Sequence, residues 1–191
     1  MERDAQGGGV SVASVGTDAE RPASLLWGRL SGFGLAVALL TAAVDQACKL
    51  WLLFGFDLGG RGIVTLTPFL DLVLTWNTGI SYGLFPQQGP VGQWALLAVK
   101  AVAVLLLWFW LSRAAARLTA LSLGLIIGGA IGNAIDRLAY GAVADFVLLH
   151  VRSGDFSFKW YVFNLADAAI VAGVAGLLYE SLIGSGAAKA P

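Results

Sequence analysis

Six ionisable residues stand near the ends of long apolar segments in this chain of 191 residues. A charged side chain at the centre of a membrane helix costs roughly 2.5 to 3.5 kcal/mol on insertion scales, so it is retained where it meets a partner, a cavity or a chemical task. Carboxylates that lie close together can share a proton and activate a water molecule. The six residues are Asp45, Lys49, Asp136, Arg137, Asp145 and Asp167.

The composition indicates an integral membrane protein. Charged residues make up 13% of the chain and hydrophobic residues 58%, with a mean hydropathy of +0.77, whereas a soluble domain carries about 25% charged residues. Four apolar segments approach the roughly 20 residues that a membrane-spanning helix needs. We therefore predict an all-α membrane protein with four transmembrane helices, at about residues 30–52, 91–111, 118–138 and 162–183.

The polar residues exclude several classes of protein. The net charge is zero and no basic run is present, so nothing indicates nucleic-acid binding. Cys48 is the only cysteine and His150 is the only histidine, which excludes an internal disulfide and a zinc site built from several Cys or His ligands. We expect neither a metal ion nor another cofactor.

Basic residues in the flanks of the spans predict the orientation in the membrane. The short connection between the second and third spans carries Arg113 and Arg117 without an acid, whereas the opposite side of the membrane carries fewer basic residues. We therefore place both termini in the cytoplasm. The expected organisation is a disordered tail at residues 1–24, a membrane domain at 25–184 and a short tail at 185–191.

A β-strand is predicted between the first two spans. Residues 70–77, with the sequence LDLVLTWN, alternate apolar and more polar side chains, which is typical of a strand with two unlike faces. Gly79 and Gly83 then break the pattern. We expect a small β-sheet platform on the outer face, within residues 53–90. Four alternating spans would bring Asn77 and the six ionisable residues to that same face.

Small residues predict where the helices pack. Gly124, Gly128 and Gly132 recur at every fourth position of the third span, and Gly173 and Gly176 form a small patch in the fourth. Such residues let helix backbones approach closely in lipid. For these glycines we favour packing alone over a functional role.

Two motifs place polar residues on one face of a helix. Asp45 and Lys49 in VDQACK are four residues apart with the acid first, which favours an intrahelical ion pair, and we expect this pair to be structural. Asn133, Asp136 and Arg137 in GNAIDR also share a face. Asp136 and Arg137 could form a purely structural pair, or Asn133 and Arg137 could donate hydrogen bonds to a peptide backbone.

Asp145 in GAVADF and Asp167 in FNLAD can meet if the third and fourth spans pack side by side. Asn164 lies three residues before Asp167, on the same helix face. Because two close carboxylates cannot both ionise, one would act as a base on water while the other keeps its proton and polarises a carbonyl group, as in an aspartic protease. From spacing alone, a small carboxylate-based proton or cation carrier is an open alternative.

Four ordered motifs carry a resemblance to a known family. VDQACK, WNTGISYGLF, GGAIGNAIDRLAYGAVADF and FNLADAAI resemble the motifs of the bacterial lipoprotein signal peptidases, the type II signal peptidase family, over about residues 30–180. The resemblance implies an intramembrane aspartic endopeptidase of the bacterial inner membrane. Its substrate would be a diacylglyceryl-modified prolipoprotein, cut just before the lipidated cysteine, and Asp145 and Asp167 would form the catalytic dyad.

The same resemblance implies roles for the other polar residues. Asn133 and Arg137 would hold the substrate backbone, with Asn77 and Asn164 beside them. The expected partners are the lipid-modified substrate and membrane lipids, and we expect a monomer. The residues expected to support the site are Asp45, Lys49, Gly79 and Asp136, the last with a structural role.

Two other patterns compete with this interpretation. GISYG matches the GxSxG nucleophile elbow, but that motif needs a strand-to-helix turn and a histidine base, and only His150 is available. Lys100 could form a serine–lysine dyad with Ser81, but we favour a lysine that extends to the membrane interface or contacts another helix. Ser81 and Tyr82 also depart from the family's NxGxAFG segment, which would alter the lining of the pocket and not the chemistry.

Overall fold

A computed structural model describes residues 25–79, 90–153 and 156–187 of the chain. The predicted N-terminal tail, residues 1–24, lies outside this part. The helices are α1 (Ser31–Leu50), α2 (Leu58–Arg61), α3 (Pro90–Leu111), α4 (Arg117–Tyr140) and α5 (Leu165–Ala187), and a π-helical turn, Trp51–Gly55, continues α1. The strands are β1 (Val64–Thr67), β2 (Leu70–Asn77), β3 (Val143–Ser153) and β4 (Phe156–Lys159).

Four of the helices are long and apolar enough to cross a membrane. They are α1 with its π-helical turn, α3, α4 and α5, with 25, 20, 24 and 19 residues in the apolar spans. The prediction of four transmembrane helices is confirmed. The fourth membrane span is α5, which begins at Leu165 and not at the predicted residue 162. The backbone of Phe163 is instead bridged to Val147 of β3.

The central helix of the bundle is α4. It packs against α1, α3 and α5. Its buried residues Leu123 and Ile127 form an apolar core with Ala38 of α1 and Leu111 of α3. The outer helices expose large apolar side chains such as Leu182 of α5, which suits a surface in contact with lipid because lipid tails are as apolar as these side chains.

Glycines of α4 allow the close packing that the sequence predicts. A Cβ atom built on Gly128 would lie 2.5 Å from the carbonyl oxygen of Ala38. Cβ atoms on Gly124 and Gly132 would lie 2.7 and 2.6 Å from atoms of α1. On the other side of α4, Gly173 of α5 makes an equally close approach. The predicted packing role of the α4 glycines is confirmed.

A four-stranded antiparallel sheet, in the order β1-β2-β3-β4, extends from one end of the bundle. The predicted strand at residues 70–77 is β2. The sheet also includes β3 and β4, from the connection between α4 and α5, which the sequence analysis did not predict as strands. The start of β3 is buried on both faces, so its sequence lacks the alternation that identifies a half-exposed strand.

Gly141 links the central helix to the sheet. Its backbone adopts φ 78°, in the left-handed region, and its N–H donates to the carbonyl oxygen four residues earlier at 3.1 Å. Glycine adopts this conformation without the steric cost that a side chain would add. The chain enters β3 two residues later, and the register pairs Thr75 with Asp145 and Asn77 with Val143. Asp145 therefore lies beside the end of β2.

Replacing Gly128 with alanine tests the contact between α1 and α4. The added methyl group would press on the backbone of Ala38, so we expect a loss of roughly 1 to 3 kcal/mol in stability, typical of overpacking. The measurement is thermal unfolding of the detergent-purified protein. Gly32→Ala is the matched control, because a Cβ there meets only one ring atom of Trp27 at 3.9 Å. Equal unfolding temperatures for the two variants would contradict the close approach.

Candidate active site

The ammonium group of Lys49 lies at the junction of α1 and α4. Its Nζ is 2.8 Å from Asp45 Oδ2, 2.8 Å from Asp136 Oδ2 and 3.1 Å from Asn133 Oδ1. Lysine has three N–H donors, so this set of acceptors uses them all. Only 2% of Lys49 is exposed. The predicted ion pair between Asp45 and Lys49 is confirmed.

The two carboxylates around Lys49 also hold backbone from other elements. Asp45 Oδ1 accepts a hydrogen bond from the N–H of Ala166 in α5 at 3.0 Å, and Asp136 Oδ2 accepts one from the N–H of Ala144 in β3 at 3.1 Å. The side-chain amide of Gln46 donates to Asp136 Oδ1 at 2.8 Å. The sequence analysis missed Gln46. Its position one residue after Asp45, at the start of the same motif, was the available signal.

Asp136 and Arg137 do not form the ion pair that the sequence allowed. Asp136 faces Lys49, and within the described ranges no ion pair joins it to Arg137. The Arg137 guanidinium instead donates to the carbonyl oxygens of Thr78, at 3.4 Å, and Gly79. Arg137 thus holds the backbone at the end of β2. Neighbouring residues of a helix point about 100° apart, which gives each side chain its own partner.

Asp145 of β3 accepts hydrogen bonds on both carboxylate oxygens. Asn164 Nδ2 donates to Oδ1 at 2.6 Å, and Asn77 Nδ2 donates to Oδ2 at 3.1 Å. The side-chain oxygen of Asn77 in turn accepts the N–H of Gly79 at 3.0 Å. These contacts fix both the carboxylate plane and the amide that supports it.

Asp167 lies in the first turn of α5, where Asn164 immediately precedes the helix. The N–H of Asp167 donates to Asn164 Oδ1 at 3.0 Å, and the N–H of Asn164 donates to Asp167 Oδ2 at 3.3 Å. This reciprocal pattern is a capping box, which satisfies free N–H groups at the start of a helix. A carboxylate at this end of a helix is also stabilised by the helix dipole. FNLAD is thus a helix start as well as a site motif.

Asn133 connects the Lys49 cluster to Asp167. Its side-chain oxygen accepts hydrogen bonds from Lys49, at 3.1 Å, and from Asn164 Nδ2, at 3.0 Å. Its side-chain nitrogen donates to Asp167 Oδ1 at 2.8 Å. Because the lysine ammonium can only donate, it fixes which end of the Asn133 amide points towards Asp167.

The pKa of Asp145 is raised to about 6, first by burial and then by the negative charge of Asp167. The hydrogen bonds from Asn77 and Asn164 act in the opposite direction, because they stabilise the ionised carboxylate. A carboxyl group with a pKa near 6 is protonated in roughly a tenth of the molecules at pH 7, against fewer than about one in a thousand for an unperturbed aspartate. Asp145 is therefore able to act as an acid.

Two cavities meet at the aspartates. Asn77, Asp145 and Asp167 line both of them. The larger cavity, of about 640 Å³, is otherwise lined mainly by apolar residues, among them Trp160 and Val171. The smaller cavity, of about 60 Å³, is also lined by Gly79, Leu96, Lys100, Asn133, Arg137 and Val143. The carboxylates thus separate an apolar space from a polar one.

The GISYG motif needs a histidine base near Ser81, and His150 is the candidate for that base. His150 Nε2 lies 3.0 Å from Asp71 Oδ2, and His150 lines a third cavity that neither Asp145 nor Asp167 lines. Ser81 lies outside the described residues. In the part of the chain that the structure describes, no group of three or more His, Cys, Asp or Glu side chains could hold a metal ion.

Removing the Asn77 amide tests the electrostatics of this site. In Asn77→Ala, Asp145 loses a donor that favours its ionised form, so its pKa should rise above the native value of about 6. Infrared spectroscopy of the protonated carboxyl band across a pH series measures the pKa of Asp145. The band of Asp145 is the one that is lost in Asp145→Asn. Thr65→Ala, an exposed change on β1, should leave the midpoint unaltered. The same midpoint in Asn77→Ala would show that the amide does not stabilise the carboxylate.

Solved structures show the same fold. One, described as "Bacterial membrane enzyme structure by the in meso method at 2.3 A resolution", has a TM-score of 0.68 and 22% identity, over 83% of this chain and 92% of that one. Another, with the same description at 1.9 A resolution, has a TM-score of 0.64 and 23% identity, over 79% and 93% of the two chains.

Comparison of sequences gives the family. A lipoprotein signal peptidase of Rhodopseudomonas palustris (strain TIE-1) is 60% identical over 158 residues, which cover 83% of this chain and 96% of the relative. One of Nitrobacter hamburgensis is 64% identical over 161 residues, or 84% and 97%. The family model described as "Signal peptidase (SPase) II" matches residues 37–183. With the motifs in the expected order around Asp145 and Asp167, which line the same two cavities, the chain belongs to the signal peptidase II family.

Proposed function

We propose that Asp145 and Asp167 are the catalytic pair of this aspartic signal peptidase. The observation that carries the proposal is the position of Asn164, which bonds to Asp145 through its side chain and to Asp167 through its backbone and side chain. One residue thus holds both carboxylates at the boundary of two cavities. Asp145 and Asp167 come from different elements, so this arrangement exists only in the folded chain.

The reaction follows from unequal surroundings of the two aspartates. Asp145, whose pKa is raised to about 6, keeps the shared proton and donates it towards the substrate carbonyl oxygen. Asp167, which accepts two N–H donors at the start of α5, takes a proton from water as the water oxygen attacks the carbonyl carbon. In the second step the proton held by Asp167 passes to the departing amine, the C–N bond breaks and Asp145 recovers its own proton.

The two cavities suit the two parts of a lipid-modified substrate. We place the diacylglyceryl group of the prolipoprotein in the larger apolar cavity, because its walls match acyl chains, and the peptide at the smaller polar cavity. There Arg137 has a donor still available, since its buried Nε has no hydrogen-bond partner among the described residues. Asn133 has one N–H beyond the bond to Asp167. Cleavage then falls just before the lipidated cysteine, where the two parts join.

Lys49, Asp45 and Asp136 take a supporting role in this proposal. Their contacts are with one another, with the side chains of Gln46 and Asn133 and with backbone of α5 and β3, so they hold the aspartates in place without touching substrate. Gly79 supports Arg137 and Asn77 through its backbone. Because one chain supplies all these groups, we propose that the enzyme acts as a monomer.

We also propose an orientation, with both termini in the cytoplasm and the sheet on the outer side of the bacterial inner membrane. Arg113 and Arg117 flank the short connection between α3 and α4, and Arg29 donates to the Ala115 carbonyl at that end at 3.3 Å. Basic residues are enriched in cytoplasmic connections. A substrate already inserted in the membrane would reach the aspartates from the outer leaflet.

Replacing either aspartate tests the catalytic pair. Asp145→Asn and Asp167→Asn keep the shape of the side chain but cannot share or transfer the proton, so each should abolish cleavage. Since the two groups act as a unit, the double variant should be scarcely slower than either single one. The assay is shortening of a purified lipidated prolipoprotein in detergent, at matched amounts of folded protein. Substantial turnover by either single variant would falsify the assignment.

Thiol labelling tests the orientation. In a Cys48→Ala background, single cysteines at Gly59 and Lys159, which are exposed on the sheet side, should react with an impermeant reagent added to intact spheroplasts. A cysteine at Ala115, exposed at the opposite end, should react only after the membrane is opened. The reverse pattern would place the aspartates in the cytoplasm and rule out the proposed orientation.

A further inference from the structure

Lys100 of α3 is a half-buried cation that the catalytic proposal does not use. It lies ten residues into α3, about 15 Å along the helix at 1.5 Å per residue. Side chains of a helix lean towards its N-terminus, and α3 begins at the sheet end, where Gln93 donates to the Arg137 carbonyl oxygen at 3.3 Å. The side chain therefore extends back towards the aspartates, and Lys100 lines the smaller cavity with Asp145 and Asp167.

The surroundings of Lys100 differ from those of Lys49. The ammonium of Lys49 has three direct acceptors. For Lys100, no hydrogen bond or ion pair joins the side chain to any part of the chain that the structure describes. A structural lysine in a membrane helix is expected to pair or to reach the interface. Lys100 has no such partner among the described residues, and its positive charge acts through space on the groups around the cavity.

Four of the elements that line this cavity, α3, α4, β3 and α5, contribute a charged side chain, whereas β2 contributes the uncharged amide of Asn77. The groups that act electrostatically on Lys100 come from three helices, and the β3 carboxylate lines the same cavity. If Asp145 and Asp167 share one proton, three carboxylate charges remain in the whole cluster, equal in number to its three cations. Without Lys100, the cluster carries an excess negative charge. Its members are Asp45 and Lys49 on α1, Asp136 and Arg137 on α4, Asp145 on β3, Asp167 on α5 and Lys100 on α3.

We propose that Lys100 is a positioning residue whose charge keeps the catalytic aspartates at one shared proton over the working pH range. This rests on the proposed roles of Asp145 and Asp167. An uncompensated charge in a medium of low polarity is costly, so loss of the cation favours uptake of a second proton. Protonation of both aspartates removes the base that activates water. Lys100 thereby sets the acid limit of activity without touching the substrate.

The test compares pH profiles of kcat/KM for cleavage of a lipidated prolipoprotein in detergent. Lys100→Met keeps the length of the side chain and removes the charge. Because the remaining negative charge binds protons more strongly, both limbs of the profile should move to higher pH, by about one unit, the lower end of the shift that a neighbouring charge causes. Lys100→Arg keeps the charge and should restore the native profile. Lys159→Met, which removes an exposed lysine of β4, is the matched control and should not move it.

Several outcomes overturn the proposal. A uniform loss of activity in Lys100→Met with an unmoved profile assigns Lys100 a structural role, and a native profile assigns it no role at all. Lys100→Gln gives the same test if the methionine variant is not recovered as folded protein. If Asp145→Asn or Asp167→Asn remains active, the catalytic proposal fails as well. If both are inactive while the Lys100→Met profile is unmoved, the Lys100 proposal alone fails.

Discussion

The site depends on one buried cation, the ammonium group of Lys49. It binds Asp45 and Asp136, and these carboxylates bind backbone N–H groups of α5 and β3. A single charge thus joins the first and central helices to the two elements that carry Asp145 and Asp167. Removing one partner from a buried ion pair typically costs about 3 to 5 kcal/mol, because the other charge is left uncompensated. The role of Lys49 is therefore to hold the geometry of the site.

From Lys49, the orientation of each polar group follows in turn. The ammonium fixes the Asn133 oxygen, so the Asn133 nitrogen points to Asp167. Asn164 is fixed by the start of α5 and donates to both Asn133 and Asp145. Asn133, Asp145 and Asn164 are buried, so this network is rigid, because each group that turned away would leave a buried partner unsatisfied. The two aspartates therefore keep unequal surroundings, and unequal surroundings are what separate an acid from a base.

The fold places this network where the membrane bundle meets the sheet. Gly141 ends α4 in the left-handed conformation, and the bridge between Val147 and Phe163 holds the start of α5 against β3. A strand aspartate and a helix aspartate consequently line the same two cavities. The apolar and polar cavities match a substrate that is lipid at one end and peptide at the other, which is how the proposed cleavage point follows from the architecture.

Local composition and residue spacing were sufficient to predict the membrane class, the four spans, the β2 strand, the Asp45–Lys49 pair and the packing role of the glycines. The folded chain was needed to show that Asp136 faces Lys49, that Gln46 joins that cluster and that Lys100 lines the smaller cavity. It also decided that residues 143–153 form a strand, since a strand buried on both faces has no alternation. Side-chain contacts between different elements depend on how each helix is rotated about its axis and shifted along it. Residue spacing within a single helix does not determine either quantity.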